Sequence, residues 1–169
     1  PAPAGGLLSQ GLTLVTGGRG FIGRRLVAAL QADGVPLRVL TRSAARASHE
    51  LQGDLSDPAS LAAACAGVDM VFHCAGHAHA FGALSEADAL RHRQVNFEAT
   101  RALAEAAGEA GVARFVSLSS VKAMGEPLDA CIDEDWPVPP ESAYGQAKRA
   151  AEDALLAAAE RYGMHVVSL

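Results

Sequence analysis

Residues 12–23, LTLVTGGRGFIG, decide the fold. The first five are β-branched or aliphatic and stop at two glycines, which predicts a short buried strand. From Phe21 the apolar positions take helical spacing. Asp33-Gly34 and then Pro36 end that helix, because glycine accepts a left-handed cap and proline cannot continue the turn. The stretch is therefore a strand, a glycine loop and a helix in direct succession.

The glycine loop has the spacing G-x-x-G-x-x-G at Gly17, Gly20 and Gly23. Small residues are needed where a backbone turns tightly and approaches a pyrophosphate, whose charge is held by N–H groups at the start of a helix. The alternative is an ordinary strand-to-helix turn. Because the loop follows an apolar strand and opens a helix, the sequence favours dinucleotide binding.

The alternation of strands and helices continues along the chain. Strands are predicted at 37–41, around Leu51, at 68–74, at 114–119 and from 166, and helices at 58–66, 86–110 and 142–162. This alternation predicts βαβ units and hence a doubly wound parallel α/β sheet covered on both faces. The length suits one domain over residues 1–169, with 1–10 as a flexible N-terminus. Since the last predicted strand ends with the chain, we expect a fragment of a longer protein.

Composition excludes several classes of protein. Half of the 169 residues are apolar, which excludes a mostly disordered chain. With 14 basic and 19 acidic side chains the formal charge is −5, and an acidic chain without a basic tract predicts no nucleic-acid or membrane partner. Cys65, Cys74 and Cys131 form no C-x-x-C pair, which predicts reduced thiols and a cytoplasmic location.

The end of the second predicted strand bears on the choice of cofactor. Folds that bind NAD usually place Asp or Glu there to hold a ribose hydroxyl, but this strand ends at Arg42, and the next carboxylate is Glu50. Arg42 and Arg19 can pair with a 2′-phosphate through forked hydrogen bonds, or else they are solvated surface arginines. We therefore predict NADP in preference to NAD. Asp54 is a candidate acceptor for the adenine amino group, or else a turn residue.

A tyrosine and a lysine four residues apart open the predicted helix 142–162. Side chains at this spacing share a helix face, so the Tyr144 hydroxyl and the Lys148 ammonium project into the same space. A phenol is a poor base at neutral pH, but a neighbouring ammonium favours the phenolate, which can exchange a proton while hydride moves. The alternative is a solvated helix face. Ser119-Ser120 adds hydroxyls at a strand end, where parallel sheets bind ligands, or else forms a turn.

These motifs occur in one order: TGGRGFIG at 16–23, GDL at 53–55, VFHCAG at 71–76, NFEAT at 96–100, VSLSS at 116–120, and the pair Tyr144 and Lys148. In this order they resemble the extended short-chain dehydrogenase/reductase family, in particular its nucleotide-sugar epimerase/dehydratase group. The resemblance covers the chain from Leu12 onwards. It implies a Rossmann fold that binds NADP or NAD, a nucleotide-sugar substrate, and a homodimer formed through the long helices.

The resemblance also assigns roles to residues. It makes Tyr144 the catalytic acid/base, Lys148 its partner, and Ser120, rather than Ser119, the catalytic hydroxyl. The predicted cofactor-binding residues are, in all, Gly17, Arg19, Gly20, Phe21, Ile22, Gly23, Arg42, Asp54, Leu55, Cys74, Ala75, Gly76, Asn96, Tyr144 and Lys148. No metal is expected, because the chain shows no third and fourth ligand beside His77 and His79.

Departures from the family pattern narrow the chemistry. Dehydratases of the family carry an acidic pair directly after the catalytic Ser or Thr, whereas this chain has Val121-Lys122. Epimerisation at C4 or reduction of a 4-keto sugar is therefore favoured over dehydration. His77, His79 and Phe81 follow the fourth strand, where such enzymes meet the sugar, although exposed loop histidines are the alternative. A reductase or dehydrogenase of a non-sugar alcohol or ketone stays open, and so, more remotely, does a non-catalytic nucleotide sensor.

Overall fold

The computed structural model describes residues 11–78, 85–125, 127, 131–133 and 136–169. The predicted flexible N-terminus and the predicted substrate contacts His79 and Phe81 lie outside these ranges. Six strands of the described residues form one parallel sheet in the order β3-β2-β1-β4-β5-β6. In chain order they are β1 Leu12–Thr16, β2 Leu37–Thr41, β3 Glu50–Gln52, β4 Val68–His73, β5 Arg114–Ser117 and β6 His165–Ser168.

The helices connect these strands and cover the sheet. They are α1 Gly23–Ala32, α2 Pro58–Cys65, α3 Glu86–His92, α4 Ala99–Glu109 and α5 Ala143–Tyr162, with a π-helical turn Arg93–Glu98 between α3 and α4 and a 3₁₀ turn Val121–Ala123 before α5. Contacts place α2, α4 and α5 side by side on one face of the sheet and α1 on the other. The predicted doubly wound parallel sheet is confirmed.

Two apolar cores lie on the two faces of the sheet. Alternate residues of a strand point to opposite faces, so Leu14 packs under α2, α4 and α5 with Leu103 and Leu155. Its neighbour Val15 packs towards α1 with Leu30. These residues are almost entirely buried. The two cores fix the strand ends that carry the site.

The helix boundaries agree with the predicted caps. Asp57 accepts hydrogen bonds from the N–H groups of Ala59 and Ser60, and Pro58 occupies the first helical turn, as predicted for α2. Ser142 caps α5 by accepting from the Gly145 N–H. No helix within the described ranges has the length and apolar character needed to cross a membrane.

Two elements differ from the sequence prediction. The predicted helix 86–110 is interrupted by the π-helical turn around Asn96, whose side chain bonds outside the helix. Strand β5 ends at Ser117 instead of 119, and beyond it the Leu118 carbonyl accepts from a lysine side chain and the Ser119 hydroxyl donates to a glutamate. Both differences coincide with polar contacts that hydrophobic periodicity does not encode.

Candidate active site

The carboxyl ends of β1, β4 and β5 are adjacent in the sheet. The order of the strands reverses between β1 and β4, and open parallel sheets bind ligands outside the carboxyl ends at such a point. The glycine loop follows β1, residues 74–76 follow β4, and residues 118–120 follow β5. The fold therefore gathers three predicted site segments at one edge.

The glycine loop is packed so closely that its glycines are required. Gly17 has φ +68°, and a Cβ there would lie 2.5 Å from the Ala75 nitrogen and 2.6 Å from the Cys74 carbonyl carbon. A Cβ on Gly23 would overlap the Gly17 carbonyl oxygen. At Gly20, by contrast, a Cβ would meet only the Gly17 oxygen, at 3.1 Å, among the described atoms. Gly17 and Gly23 thus build the loop, and Gly20 leaves open space beside it.

The N-terminus of α1 adjoins that open space. No side chain caps it: the N-cap residue is Ile22, and the first turn holds no acidic residue. An uncapped helix start presents N–H groups and a partial positive charge to an anion. Phe21 and Ile22 are exposed at this point, with the Arg25 guanidinium 4.0 Å from the centre of the Phe21 ring. The loop and helix start together fit a dinucleotide pyrophosphate.

His73, at the end of β4, joins the loop strand to α4. Its Nδ1 lies 2.6 Å from the Thr16 hydroxyl and its Nε2 lies 2.9 Å from the Thr100 hydroxyl. Because the Thr100 hydroxyl donates to the Asn96 carbonyl, His73 donates from Nε2 and accepts at Nδ1. Complete burial lowers the pKa of His73 to about 3, and the nearby Lys148 charge acts in the same direction. The imidazole is therefore neutral and structural.

Asn96 lies in the π-helical turn and is bonded to the segment after β4. Its side-chain oxygen accepts from the His77 N–H at 2.7 Å, and its nitrogen donates to the His77 carbonyl at 2.8 Å. A Cβ on Gly76 would lie 3.3 Å from the same side-chain oxygen. Wide helical turns occur frequently at functional sites. Here the turn lets a helix residue hold the predicted cofactor-lining backbone.

Lys148 connects α5 to the same edge of the sheet. It is 9% exposed, and its Nζ donates to the Leu118 carbonyl at 2.7 Å. The same nitrogen would lie 3.7 Å from a Cβ on Gly76. Burial lowers the pKa of the Lys148 ammonium, and the Glu152 carboxylate opposes that effect. Lys148 therefore lies between the segments that follow β4 and β5.

Tyr144 lies one helical turn before Lys148 and is half-buried. Its ring meets the buried His92 ring edge-on, with centroids 5.4 Å apart, and His77 lies 5.0 Å from His92 on the other side. His92 Nε2 is buried and has no hydrogen-bond partner among the described residues. The tyrosine therefore stands beside an aromatic cluster that the sequence did not reveal.

The two serines after β5 have different partners. The Ser119 hydroxyl donates a hydrogen bond to the Glu152 carboxylate. Ser120 caps the following 3₁₀ turn by accepting from the Lys122 N–H at 3.3 Å. The Ser119 hydroxyl is thus engaged by Glu152, and the role of Ser120 as the catalytic hydroxyl stays a prediction.

The predicted phosphate-binding arginines are not equivalent in the structure. Arg19 donates from Nε to Glu50 at 3.0 Å and from its terminal nitrogen to the same carboxylate at 2.8 Å, and also to the Ala44 carbonyl. Hydrogen bonding to Arg19 is the main cause that lowers the pKa of Glu50 to about 2. Arg42 is exposed. Asp54 accepts from the N–H and the hydroxyl of Ser56 at one carboxylate oxygen, Oδ1, and its predicted contact with the adenine stays a prediction.

Three residues near this edge were not predicted to belong to the site: His92, Glu152 and Glu50. Spacing offered a signal for the first two, since His92 is four residues before Asn96 and Glu152 four after Lys148. Glu50 was seen only as the next carboxylate along the chain. Its contact with the glycine loop spans 31 residues, so only the fold reveals it.

A family model described as the NAD dependent epimerase/dehydratase family matches residues 13–169. The 4-hydroxy-2-methyl-3-oxo-4-farnesyl-3,4-dihydroquinoline-1-oxide ketoreductase of Stigmatella aurantiaca is 36% identical over 86% of this chain and 45% of its own length. UDP-glucose 4-epimerase of Vibrio cholerae is 32% identical over 91% of this chain and 49% of its own. A short-chain dehydrogenase/reductase superfamily protein of Agrobacterium tumefaciens, solved with bound NAD, has TM-score 0.78 and 35% identity, over 93% of this chain and 48% of its own.

The chain therefore belongs to the NAD-dependent epimerase/dehydratase family, which confirms the resemblance seen in its motifs. Further relatives are named as 3β-hydroxysteroid dehydrogenase/isomerases and a ceramide reductase, so membership alone assigns no substrate. The chain spans between 32% and 50% of the length of the first curated relatives. Those relatives are named as reductases, dehydrogenases, an epimerase and a dehydratase, and the chain therefore belongs to an enzyme family.

Proposed function

We propose that the chain is the cofactor-binding and catalytic half of an NAD(P)-dependent enzyme that epimerises a nucleotide sugar or reduces its 4-keto form. The observation that carries the proposal is the buried Lys148 ammonium, which lies between Gly76 and the Leu118 carbonyl, one helical turn from Tyr144. The relation to an epimerase of a nucleotide sugar supports the substrate class. Val121-Lys122, in place of an acidic pair, weighs against dehydration.

The glycine loop and the start of α1 are the residues that would hold the cofactor. The packing of Gly17 against Cys74-Ala75 leaves no space for a side chain, and Gly20 borders open space in front of an uncapped helix start. This arrangement fits a pyrophosphate. A nicotinamide dinucleotide bound there supplies a hydride donor or acceptor.

The side chains near the strand ends carry out the proton transfer, bind the substrate oxygen and hold the backbone of the site. Tyr144 takes or gives the hydroxyl proton of the substrate, with the Lys148 ammonium one helical turn away on the same helix. Ser120 offers a hydroxyl to the substrate oxygen, because Ser119 is bonded to Glu152. Asn96 holds the backbone at His77 and keeps Gly76 next to Lys148. Proton transfer of this kind contributes typically 10²–10⁴-fold to a rate.

A reductase or dehydrogenase of a non-sugar alcohol or ketone is the second candidate. It is favoured by the ketoreductase relative, which is 36% identical, against 32% for the epimerase relative. The same tyrosine, lysine and cofactor serve both reactions. The two functions differ in which substrate is turned over, and the assay described below compares them directly.

The choice between NADP and NAD belongs to the same proposal. Arg19 is already paired with Glu50, which weighs against the predicted contact with a 2′-phosphate and leaves Arg42 as the exposed arginine. The solved relative carries NAD. A preference for NADP, a homodimer and a cytoplasmic location stay predictions.

The test is Tyr144→Phe in the full-length enzyme, assayed for interconversion of UDP-glucose and UDP-galactose and for reduction of a 3-ketosteroid. We expect turnover of the preferred substrate to fall about 10²–10⁴-fold, because phenylalanine lacks the hydroxyl that takes or gives the proton. NADH affinity, followed by nicotinamide fluorescence, should stay within about twofold, since the loop that holds the pyrophosphate is untouched. Unchanged turnover would remove Tyr144 from the mechanism, and absence of NADH and NADPH binding would overturn the cofactor assignment.

A further inference from the structure

Glu152 links α5 to the strand end that carries the two serines. It lies one helical turn beyond Lys148, and its carboxylate accepts a hydrogen bond from the Ser119 hydroxyl. Lys148 donates to the Leu118 carbonyl at 2.7 Å. Two successive turns of α5 therefore bond to two successive residues of the chain after β5, one as acceptor and one as donor.

We propose that Glu152 is a positioning residue of this site, which holds residues 118–120 against α5 and places a carboxylate one helical turn from the buried Lys148 ammonium. The inference rests on the proposed function, because it concerns how Lys148 and Ser120 are presented to a substrate. Glu152 itself acts through these two residues and contacts no reacting atom in the proposal.

Burial makes a neighbouring carboxylate necessary for Lys148. An ammonium that is 9% exposed has lost most of its water, and a charge in such a place needs a partner of opposite sign. The Leu118 carbonyl satisfies one of its N–H groups but carries no full charge. Loss of water lowers the pKa of Lys148, and the Glu152 carboxylate is the group that raises it again.

The other titratable groups around Lys148 do not replace Glu152. His73, at the end of β4, is fully buried and neutral, so it supplies no negative charge to balance the Lys148 ammonium. Tyr144 lies on the same helix, one turn earlier, and His92 from α3 packs against Tyr144 at 5.4 Å. Asp153 follows Glu152 in sequence but pairs with Arg149 at 3.8 Å on the exposed side of the helix.

The bond to Ser119 also has a geometric consequence. Ser119 and Ser120 are consecutive, and their hydroxyls have different partners: Ser119 donates to Glu152, and Ser120 accepts from the Lys122 N–H. By fixing Ser119, Glu152 limits the rotation of the segment that carries Ser120. The bonds between Glu152 and Ser119 and between Lys148 and Leu118 together hold this segment against α5.

The composition of the chain allows a direct test. The sequence contains two lysines, Lys122 and Lys148. NMR of the lysine side chains, labelled with ¹³C at Cε, resolves individual lysines, and the signal that is lost in Lys148→Arg but kept in Lys122→Arg is that of Lys148. The titration midpoint of Lys148 is then measured in the wild type, in Glu152→Gln and in the matched control Asp153→Asn, which removes the adjacent carboxylate. Neither a substrate nor a cofactor is needed.

We expect Glu152→Gln to lower the Lys148 midpoint by about one pH unit, and Asp153→Asn to leave it within about 0.2 unit because exposed charges are screened. Ser119→Ala keeps the carboxylate and removes only the hydrogen bond. It should leave the midpoint nearly unchanged but speed amide hydrogen exchange at residues 118–120 about tenfold. An unchanged midpoint in Glu152→Gln, or an equal shift in Asp153→Asn, would overturn the charge role. Unchanged exchange in Ser119→Ala would overturn the positioning role.

The outcomes separate this inference from the proposed function. If NADH does not bind and Tyr144→Phe retains turnover, the proposed function fails whatever Lys148 shows. If NADH binds and Tyr144→Phe is inactive but Glu152→Gln leaves Lys148 unmoved, only the role of Glu152 fails. Should Glu152→Gln not fold, Glu152→Asp, which keeps the charge on a shorter stem, must retain the Lys148 midpoint while exchange at 118–120 speeds up. A lowered midpoint in that variant would contradict the proposal.

Discussion

The glycine loop and the helix start at Tyr144 reach the same sheet edge by different means. The loop is a continuous stretch whose shape is set by its own glycines and by one backbone contact with residues 74–75. The cluster around Lys148 and Glu152 is assembled from contacts that span 30 and 33 residues. The loop can therefore be recognised from local sequence, whereas the partners of the cluster depend on how the sheet is ordered.

This difference predicts how each region responds to change. In the loop, backbone geometry dominates, so an added methyl group should do more harm than a lost polar contact. Around α5 the backbone is an ordinary helix, and charge and hydrogen bonding dominate. The predictions below test this contrast, in order of decreasing effect.

Gly17→Ala is expected to have the largest effect. The residue has φ +68°, and the new Cβ would lie 2.5 Å from the Ala75 nitrogen, so the loop and the segment after β4 must move apart. We expect a loss of more than about 3 kcal/mol in the free energy of unfolding, from backbone strain and steric overlap together. NADH binding should be lost as well. Urea unfolding and nicotinamide fluorescence measure the two effects.

Gly34→Ala is the matched control for that substitution. Gly34 has φ +69°, nearly the same as Gly17, but a Cβ there meets nothing within 4 Å. It should lose only about 1–2 kcal/mol, the cost of the left-handed backbone, and keep NADH affinity. If the two variants are equally destabilised, the close approach between Gly17 and Ala75 does not add to the loss in the free energy of unfolding. The claim that backbone packing dominates in the glycine loop would then be wrong.

The pH dependence of stability is expected to come next, through His73, which bonds to both regions. Its pKa is lowered to about 3 in the folded protein, so between that value and the ordinary histidine value of 6.5 the unfolded chain binds the extra proton. The contribution of neutral His73 to the free energy of unfolding is fully present above about pH 6.5 and is lost as the pH falls towards 3. We expect a loss of about 2 kcal/mol between about pH 7 and pH 5.

Urea unfolding at a series of pH values measures this loss. His73→Gln removes the titrating group and should flatten the dependence between about pH 5 and 6.5. His165→Gln, which changes an exposed histidine, should leave it unchanged. A slope that persists in His73→Gln would show that another group takes up the proton.

The smallest expected effect concerns the long-range contact of the glycine loop. Glu50→Gln removes the charge that engages Arg19 and frees its guanidinium for a phosphate. We expect the ratio of NADPH to NADH affinity to rise about three- to tenfold. Fluorescence titration with both nucleotides measures the ratio, and Glu160→Gln, an exposed carboxylate on α5, serves as the control. An unchanged ratio would show that Arg19 does not meet a 2′-phosphate.

The contrast also explains how much the sequence could predict. The strand-loop-helix unit, the parallel sheet and the Asp57 cap follow from apolar periodicity and from glycine and proline chemistry, and all three are present. Tyr144 and Lys148 were found because their spacing is local. In the structure Lys148 is bonded to the Leu118 carbonyl and Arg19 to Glu50, and their roles at the site stay predictions.

What the sequence could not provide were partners that meet only after the sheet is assembled. Ser119 and Glu152 lie 33 residues apart, and His73 bonds to Thr16 across 57 residues. Apolar periodicity describes which face of an element is buried and contains no information about hydrogen-bond partners on another element. The wide turn at 93–98 was missed for the same reason, since its cause is a contact with His77.

That wide turn sets a limit on changes in chain length. Successive residues of an α-helix are rotated by about 100°, so deletion of one residue between His92 and Asn96 would turn the upstream half of the helix away from its present neighbours. His92 would then leave Tyr144, while Asn96 would keep its place. Insertions and deletions accepted elsewhere on the surface should therefore be rare here, and natural variation in this segment should proceed by substitution at constant length.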